Sequence, residues 1–266
     1  MLGRSVPITT ARRNILDLMY WSKKVPTVPV QRDIDIAHVI AARAACADRP
    51  RWTAIFTKAY ALVCDEFPML RRAYVKFPRP RYYEFASSSA SIVTERDFDG
   101  EYSTISYLIR DPAKLPLLQI STRLSAAEAA RIEDVSDFRR ILRTARMPLP
   151  LRRAMWWVGL NVPRQRWRFF GTYGVSVYSA LNAESLHPLS PLTSTLNYGT
   201  FRDDGTVTVR IIYDHRVVDG AVVARVLGRL EEVLNGPIVD ELKALAQTAI
   251  SHPEAPSPSA SRRRRA

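Results

Sequence analysis

The chain has 266 residues, of which 47% are hydrophobic and 24% charged. This composition excludes wholesale disorder and allows one large domain or two small ones. Two cysteines, Cys46 and Cys64, are too few for a disulfide framework or a cysteine-based zinc site, and they suit a reducing compartment. The N-terminus has no apolar stretch of signal-peptide length, and the uncharged run 155–163 is less than half of the roughly 20 residues that a transmembrane helix needs. These features predict a cytoplasmic protein.

The net charge of +13 is concentrated in two places. Residues 139–168 contain nine arginines and no acidic residue, and the run 262–265 adds four more arginines. A basic stripe of this kind fits a phosphate-bearing partner or an anionic surface, and a solvated arginine-rich helix fits equally well. No recognised nucleic-acid motif accompanies the stripe, so we do not expect nucleic acid as a partner.

Hydrophobic periodicity predicts one domain over residues 1–250, followed by a disordered, arginine-rich tail over residues 251–266. Thr9 or Thr10 caps the first predicted helix, and Phe67-Pro68 ends the third. In chain order the first half is predicted to contain helix 10–22, strand 28–36, helices 36–47 and 52–66, and strands 82–85, 90–95 and 104–109.

The second half begins with a predicted helix over 125–146, opened by Ser125 and Glu128 as a capping box. Strands 175–179, 194–201 and 206–213 follow, with a hairpin turn at 203–205. A final helix over 220–234 is expected to stop at Gly236. Helices that alternate with strands, together with an antiparallel hairpin, predict a mixed sheet covered by helices.

The most informative segment is 213–221, with the sequence YDHRVVDGA, between a strand and an apolar helix. Histidine is the side chain best suited to move a proton at neutral pH, so His215 is a candidate general base. Asp219 is placed to fix the turn or to orient a neighbour, and Gly220 would let the backbone turn tightly into the helix. On pattern alone, a histidine that merely caps a strand explains the segment equally simply.

The motif DHRVVDGA resembles the active-site signature of the acyltransferase component of 2-oxo acid dehydrogenase complexes, and His-x-x-x-Asp-Gly is shared with chloramphenicol acetyltransferase. The segments VPITTARRNILDLM, DIDIAHVIAAR, RPRWTAIFTKAYALVCDEFPMLRRAYV and GTYGVS are similar to further parts of that family. The resemblance covers residues 6–245. It implies an α/β, chloramphenicol-acetyltransferase-like sandwich with a mixed β-sheet covered by helices.

The resemblance also implies roles for individual residues. His215 would be the general base, and Ser176 would donate a hydrogen bond to the oxyanion of the tetrahedral intermediate. Asp219 would be held by an ion pair to Arg12, with Arg13 as the alternative, and Gly220 would support the turn. Coenzyme A would be a substrate and no metal would be needed, but the residues that bind coenzyme A are not assigned. Members of the family are built from trimers, so His215 and Ser176 would come from different copies.

The sequence also departs from the family. No lipoyl attachment domain precedes the motifs, so a separate lipoyl-bearing protein is a candidate partner. Ser176 is followed by VYSA rather than Asn-Leu-Gly, and Ser190-Pro191-Leu192 stands where the family has Asn-Pro-Pro. These changes leave the acyl group and the acceptor open, with a dihydrolipoamide-like thiol among the candidates.

The segment 139–170 interleaves arginines with tryptophans and aliphatic residues. It fits packing against the core or another copy, contact with an acyl chain or coenzyme A, or contact with an anionic membrane. Two alternatives to a soluble acyltransferase therefore stay open. One is a non-catalytic trimeric scaffold with the same fold, and the other is a peripheral membrane acyltransferase.

Overall fold

The computed structural model describes residues 3–98, 100–177 and 183–251. Its helices are α1 (Thr10–Ser22), α2 (Ala37–Ala44), α3 (Trp52–Glu66), α4 (Leu117–Ala129), α5 (Ser136–Ala145), α6 (Leu149–Asn161), α7 (Pro163–Phe169), α8 (Gly220–Val233) and α9 (Val239–Ser251). Its strands are β1 (Thr27–Asp35), β2 (Arg72–Val75), β3 (Arg81–Glu84), β4 (Ser89–Phe98), β5 (Glu101–Arg110), β6 (Tyr173–Val175), β7 (Ser194–Phe201) and β8 (Thr206–Asp214). The predicted tail beyond Ser251 lies outside the described residues.

Six of the strands form one mixed sheet in the order β1-β8-β7-β6-β4-β5, and β2 pairs with β3 separately. The short strand β6 runs parallel to both of its neighbours, whereas β1-β8, β8-β7 and β4-β5 are antiparallel. The predicted hairpin between β7 and β8 is confirmed. Gly205 in its turn has φ of 82°, a left-handed conformation that glycine adopts without steric cost.

Helix α3 is the centre of the hydrophobic core, and most of its side chains are buried. Its Tyr60 ring meets the Tyr173 ring of β6 edge-on, with centroids 4.9 Å apart. The Tyr173 hydroxyl donates a hydrogen bond to the Thr57 carbonyl at 2.8 Å. The core therefore fixes β6 against α3, and with it the residue Ser176 that follows the strand.

The single helix predicted over 125–146 is wrong. The helix expected over 125–146 is two helices, because α4 ends at Ala129 and α5 begins at Ser136. Ser125 lies inside α4 rather than at its start. Glu128 forms an ion pair with Arg51 instead of closing a capping box. A long-range partner therefore takes the carboxylate that the local pattern had assigned to a cap.

Gly236 is not a helix stop. Helix α8 continues through a π-helical turn, Leu234–Ile238, into α9. Leu234 and Ile238 are both fully buried, so the wide turn keeps two apolar side chains in the core. Asn235 donates to the carbonyls of Asp35 and Glu231, which ties the turn to the end of β1. Burial and these tertiary bonds outweigh the local preference of glycine for a helix end.

Both cysteines are free and buried, Cys46 in the turn after α2 and Cys64 in α3. Within residues 3–98, 100–177 and 183–251, no helix combines the length and apolar character needed to cross a bilayer.

Candidate active site

His215 follows β8 directly, in a turn built by its neighbour Asp214. The Asp214 carbonyl accepts hydrogen bonds from the backbone N–H groups of Val217 and Val218, at 2.9 and 3.2 Å. The His215 N–H donates to the Pro26 carbonyl at 3.1 Å. The backbone around His215 is thereby fixed, while its side chain stays half exposed, at 50%.

A partly buried ion pair anchors the same turn. The Asp214 carboxylate accepts from the Arg216 backbone N–H at 3.0 Å and from its guanidinium at 2.9 and 2.7 Å. The guanidinium also lies over the Tyr74 ring, and the Tyr82 hydroxyl donates to the Arg216 carbonyl at 2.5 Å. The small β2-β3 sheet therefore supports the histidine turn. The sequence motif contained this pair, but the pattern gave Asp214 and Arg216 no role.

Asp219 faces His215 without bonding to it. Asp219 Oδ1 lies 3.7 Å from His215 Nδ1, beyond hydrogen-bond range, and the Asp219 side chain is 82% exposed. The carboxylate is therefore near Nδ1 without being bonded to it. Nε2 lies on the other side of the imidazole ring.

The ion pair expected between Asp219 and Arg12 is not formed within one copy of the chain. Arg12 Nη2 instead contacts Glu101 Oε1 at 3.0 Å. The physical reason is the topology. Helix α1 packs against β5, α5 and α6, and β5 and β8 are separated by three strands of the sheet.

Gly220 fits its position for a different reason than predicted. Its φ is not positive, so no glycine-specific turn leads into α8. A Cβ at this position would lie 3.1 Å from the Tyr213 hydroxyl, tighter than ordinary van der Waals contact. Gly220 therefore allows the end of β8 to approach the first turn of α8 closely.

Ser176 follows the interior strand β6 and lies in the wall of a large cavity. It is 5% exposed, its N–H donates to the Leu196 carbonyl at 3.1 Å, and its own carbonyl accepts from Asn197 Nδ2 at 2.5 Å. The cavity has a volume of about 840 Å³ and is lined by residues of α1, α5, α6, α7 and the sheet.

The strand register separates Ser176 from His215. Val175 pairs with Leu196, and Leu196 pairs with Ile211, so Ser176 is level with Arg210 in β8. His215 lies five residues further along β8, which at about 3.3 Å per residue is roughly 16 Å along the sheet. One copy of the chain therefore does not bring the two predicted catalytic side chains together.

The basic segment 139–170 folds into the end of α5, α6 and α7, and part of its charge is structural. Arg152 is buried against the fully buried Asp17 of α1, with Nε 2.8 Å from Oδ2. Arg166 is also buried and donates to the carbonyls of Leu160 and Pro191. Burial lowers the pKa of Arg166 to about 10. Part of this segment thus packs against the core, one of the three interpretations left open.

The outer face of α6 is apolar. Leu151, Met155, Val158 and Val162 are each at least 40% exposed, and their spacing places them on one side of the helix. The first three line the cavity. The chain segment that departs from the family pattern, Ser190-Pro191-Leu192, lines it too. Of the other departure, VYSA, only Val177 lies within the described residues.

Across the part of the chain that the structure describes, no group of three or more His, Cys, Asp or Glu side chains is placed to hold a metal ion.

No protein-family model matches the sequence, and no curated protein matches it. Solved structures do match. A dihydrolipoamide acetyltransferase from Azotobacter vinelandii is 18% identical, with 89% of this chain and 93% of that chain covered at a TM-score of 0.65. A truncated catalytic core of the 2-oxoacid dehydrogenase multienzyme complex from Thermoplasma acidophilum is 17% identical, with 88% and 99% covered at 0.63.

The chain has the fold of these acyltransferase catalytic cores. Chloramphenicol acetyltransferase also aligns, at 11% identity over 88% of this chain and all of that chain, with a TM-score of 0.50. The predicted α/β, chloramphenicol-acetyltransferase-like fold with a mixed sheet covered by helices is thus confirmed. At sequence identities of 11% to 18%, the similarity to these structures establishes the fold of the acyltransferase cores and nothing beyond it.

Proposed function

We propose that this protein is an acyltransferase that moves an acyl group between coenzyme A and a thiol or other acceptor. Its active site would form between two copies, with Ser176 from one and His215 from the other. The observation that carries the proposal is the placement of the two side chains. Ser176 lines a cavity large enough for a substrate, while His215 is presented at the end of β8 with half of its side chain exposed.

The relatives in fold support this assignment of roles. Investigations of the catalytic mechanism of the Azotobacter protein concern a serine, a histidine and an asparagine. The asparagine stands four positions after the histidine. In the present chain Asp219 stands four positions after His215. The Thermoplasma protein is described as a core of a multienzyme complex, which supports assembly of the present chain into a trimer or a larger multiple.

The chemistry follows from these groups. Nε2 of His215 removes the proton from the acceptor thiol, and the thiolate sulfur attacks the thioester carbonyl. The carbonyl oxygen becomes an oxyanion, to which the Ser176 hydroxyl donates a hydrogen bond. Collapse of the tetrahedral intermediate breaks the bond to the sulfur of coenzyme A, which takes the proton from His215. Reaction in the opposite direction uses the same groups in reverse.

The rim of the cavity offers positive charge for a phosphate-bearing acyl carrier. Arg168 is exposed, lines the cavity and lies with its guanidinium carbon 5.4 Å from the Phe169 ring centroid. Among the residues described here, no carboxylate lies within ion-pair distance of it. A free guanidinium in such a place suits the phosphates of coenzyme A.

Complementation between two inactive variants tests the proposal. His215→Ala and Ser176→Ala are each prepared alone and then refolded together in equal amounts, with acyl transfer from acetyl-coenzyme A to dihydrolipoamide as the assay. Loss of one oxyanion donor costs about 10²–10³-fold in rate. In a closed ring of randomly mixed copies, about one quarter of the interfaces pair an intact serine with an intact histidine.

Recovery to about a quarter of the wild-type rate supports a site shared between copies. No recovery from two inactive variants contradicts the shared site. A wild-type protein without turnover on any acyl-coenzyme A contradicts the enzyme itself and favours the non-catalytic scaffold. A cytoplasmic location, a separate lipoyl-bearing partner and membrane contact through 139–170 stay predictions.

A further inference from the structure

The cavity beside Ser176 is far larger than a short acyl group requires. Its volume of about 840 Å³ is in the range of pockets that enclose ligands of drug size, about 300–1,000 Å³. An acetyl group has three non-hydrogen atoms and would by itself fill little of this space. Water against apolar walls is unfavourable, so the size and lining of the cavity indicate a larger apolar occupant.

The walls that three helices contribute are mostly apolar, although Asn14, Arg140 and Thr144 also line the cavity. The apolar side chains include Ile15, Leu18 and Met19 of α1, Ile141 of α5, and Leu151 and Met155 of α6. Leucine, isoleucine and methionine side chains suit a flexible hydrocarbon, since methionine in particular adapts its shape to what it contacts. No carboxylate lines the cavity among the residues that the structure describes.

The cavity also has a direction. Ser176 lies on its sheet side and is 5% exposed, whereas Leu151 and Met155 lie on its α6 side and are 50% and 40% exposed. A thioester carbonyl at Ser176 would send its acyl chain along α1 towards α6. His215 of a neighbouring copy has to reach only the Ser176 end.

We propose that this cavity binds the hydrocarbon chain of a long, unbranched acyl group, with the thioester carbonyl at Ser176 and the chain against α1, α5 and α6. This inference rests on the proposed acyl transfer and names its donor class. It also explains the exposed apolar side of α6, because a bound hydrocarbon chain would cover Leu151 and Met155.

Calorimetric titration of the full chain with acetyl-, octanoyl- and dodecanoyl-coenzyme A tests this inference, with all ligands below their micelle concentration. Each buried methylene strengthens binding by about fourfold, so six additional methylenes should give at least about a 100-fold lower Kd for octanoyl- than for acetyl-coenzyme A. Dodecanoate alone should also bind, and should alter the fluorescence of Trp156, which lines the cavity.

A matched pair of variants locates the chain. Ala154 is exposed on α6 and lines the cavity, so Ala154→Trp should weaken dodecanoyl-coenzyme A binding by at least about tenfold and leave acetyl-coenzyme A binding unchanged. Leu149→Trp adds a similar bulk to an exposed position of α6 that does not line the cavity, and should change neither. Circular dichroism of both variants confirms that α6 is retained.

Equal Kd values for acetyl- and dodecanoyl-coenzyme A would overturn the inference, as would an Ala154→Trp variant that binds both like the wild type. A shift in oligomeric state on Ala154→Trp, without a chain-length effect, would show that another copy occupies the cavity and would also overturn it. These binding results are independent of turnover, so they are distinguishable from failure of the complementation test.

Discussion

The buried ion pair between α1 and α6 is the feature whose removal should be most costly to the fold near the cavity. Asp17 is fully buried in α1, and its carboxylate lies 2.8 Å from Arg152 Nε and 3.5 Å from Arg153 Nε. Arg152 is itself 7% exposed. Little water therefore reaches either member of the pair, and removal of Asp17 leaves the charge of Arg152 buried without its partner.

We expect Asp17→Leu to lower the free energy of unfolding by about 3–5 kcal/mol, the usual cost of an orphaned buried charge. Arg152→Met should cost a similar amount, although Arg153 can approach the carboxylate and reduce it. The double variant should recover most of the loss, because a well-packed apolar pair replaces a buried ion pair at little cost. Urea denaturation followed by tryptophan fluorescence measures all three.

The double variant decides between ion pairing and simple packing. If packing alone held α6 to α1, the losses of the two single variants would add instead of cancelling. A loss below about 1 kcal/mol for Asp17→Leu would refute the argument, because such a value is typical of an exposed pair. The exposed pair Arg131–Glu133 is the control, and its removal should change the stability by less than about 0.5 kcal/mol.

Three further predictions follow from the site and the core. Asp219→Asn should lower the rate constant kcat less than about tenfold, because the carboxylate is exposed and 3.7 Å from the ring; a loss equal to that of His215→Ala would contradict this. The hydrogen bond from Arg210 lowers the pKa of Glu184, so its contribution of about 1 kcal/mol is present above the ordinary carboxyl pKa and is lost as the pH falls through the lowered value. The difference in urea midpoint between wild type and Glu184→Gln should therefore shrink from pH 7 to pH 3. Burial raises the pKa values of both thiols, so Cys46 and Cys64 should react with a disulfide reagent only after unfolding, and rapid reaction of the folded protein would contradict their burial.

Many of the helices and strands were predictable because their local sequence patterns favour the structure that they adopt. The observed bounds of α1, α3 and β7 are the ones predicted from the hydrophobic periodicity, and Gly205 marked the hairpin. The predictions failed where a tertiary contact outweighed a local signal. The ion pair of Glu128 with Arg51 is an example, since nothing near Glu128 in the sequence indicates that partner.

Of the candidate site, the sequence predicted the residues that would carry the chemistry but not their arrangement in space. A histidine at the end of a strand was visible in the sequence, but the separation of His215 from Ser176 depends on the register of three strands. The support of the histidine turn by Arg216, Tyr74 and Tyr82 was not visible either. Those contacts join segments more than 130 positions apart, and a single sequence carries no signal for them.

The arginines of 139–168 show why charge alone did not identify a partner. Arg152 is neutralised by Asp17, Arg140 by Asp137, and Arg166 is buried among carbonyl oxygens. Arg152 and Arg166 hold α6 and α7 in place around the cavity, whereas Arg140 lines the cavity with its charge balanced by Asp137 of the same helix. Arg168 is exposed at the rim of the same cavity, so the segment that builds the apolar walls also supplies positive charge at their entrance. A ligand with a hydrocarbon chain and an anionic carrier matches both properties, whereas a nucleic acid or a free phosphate matches only the second.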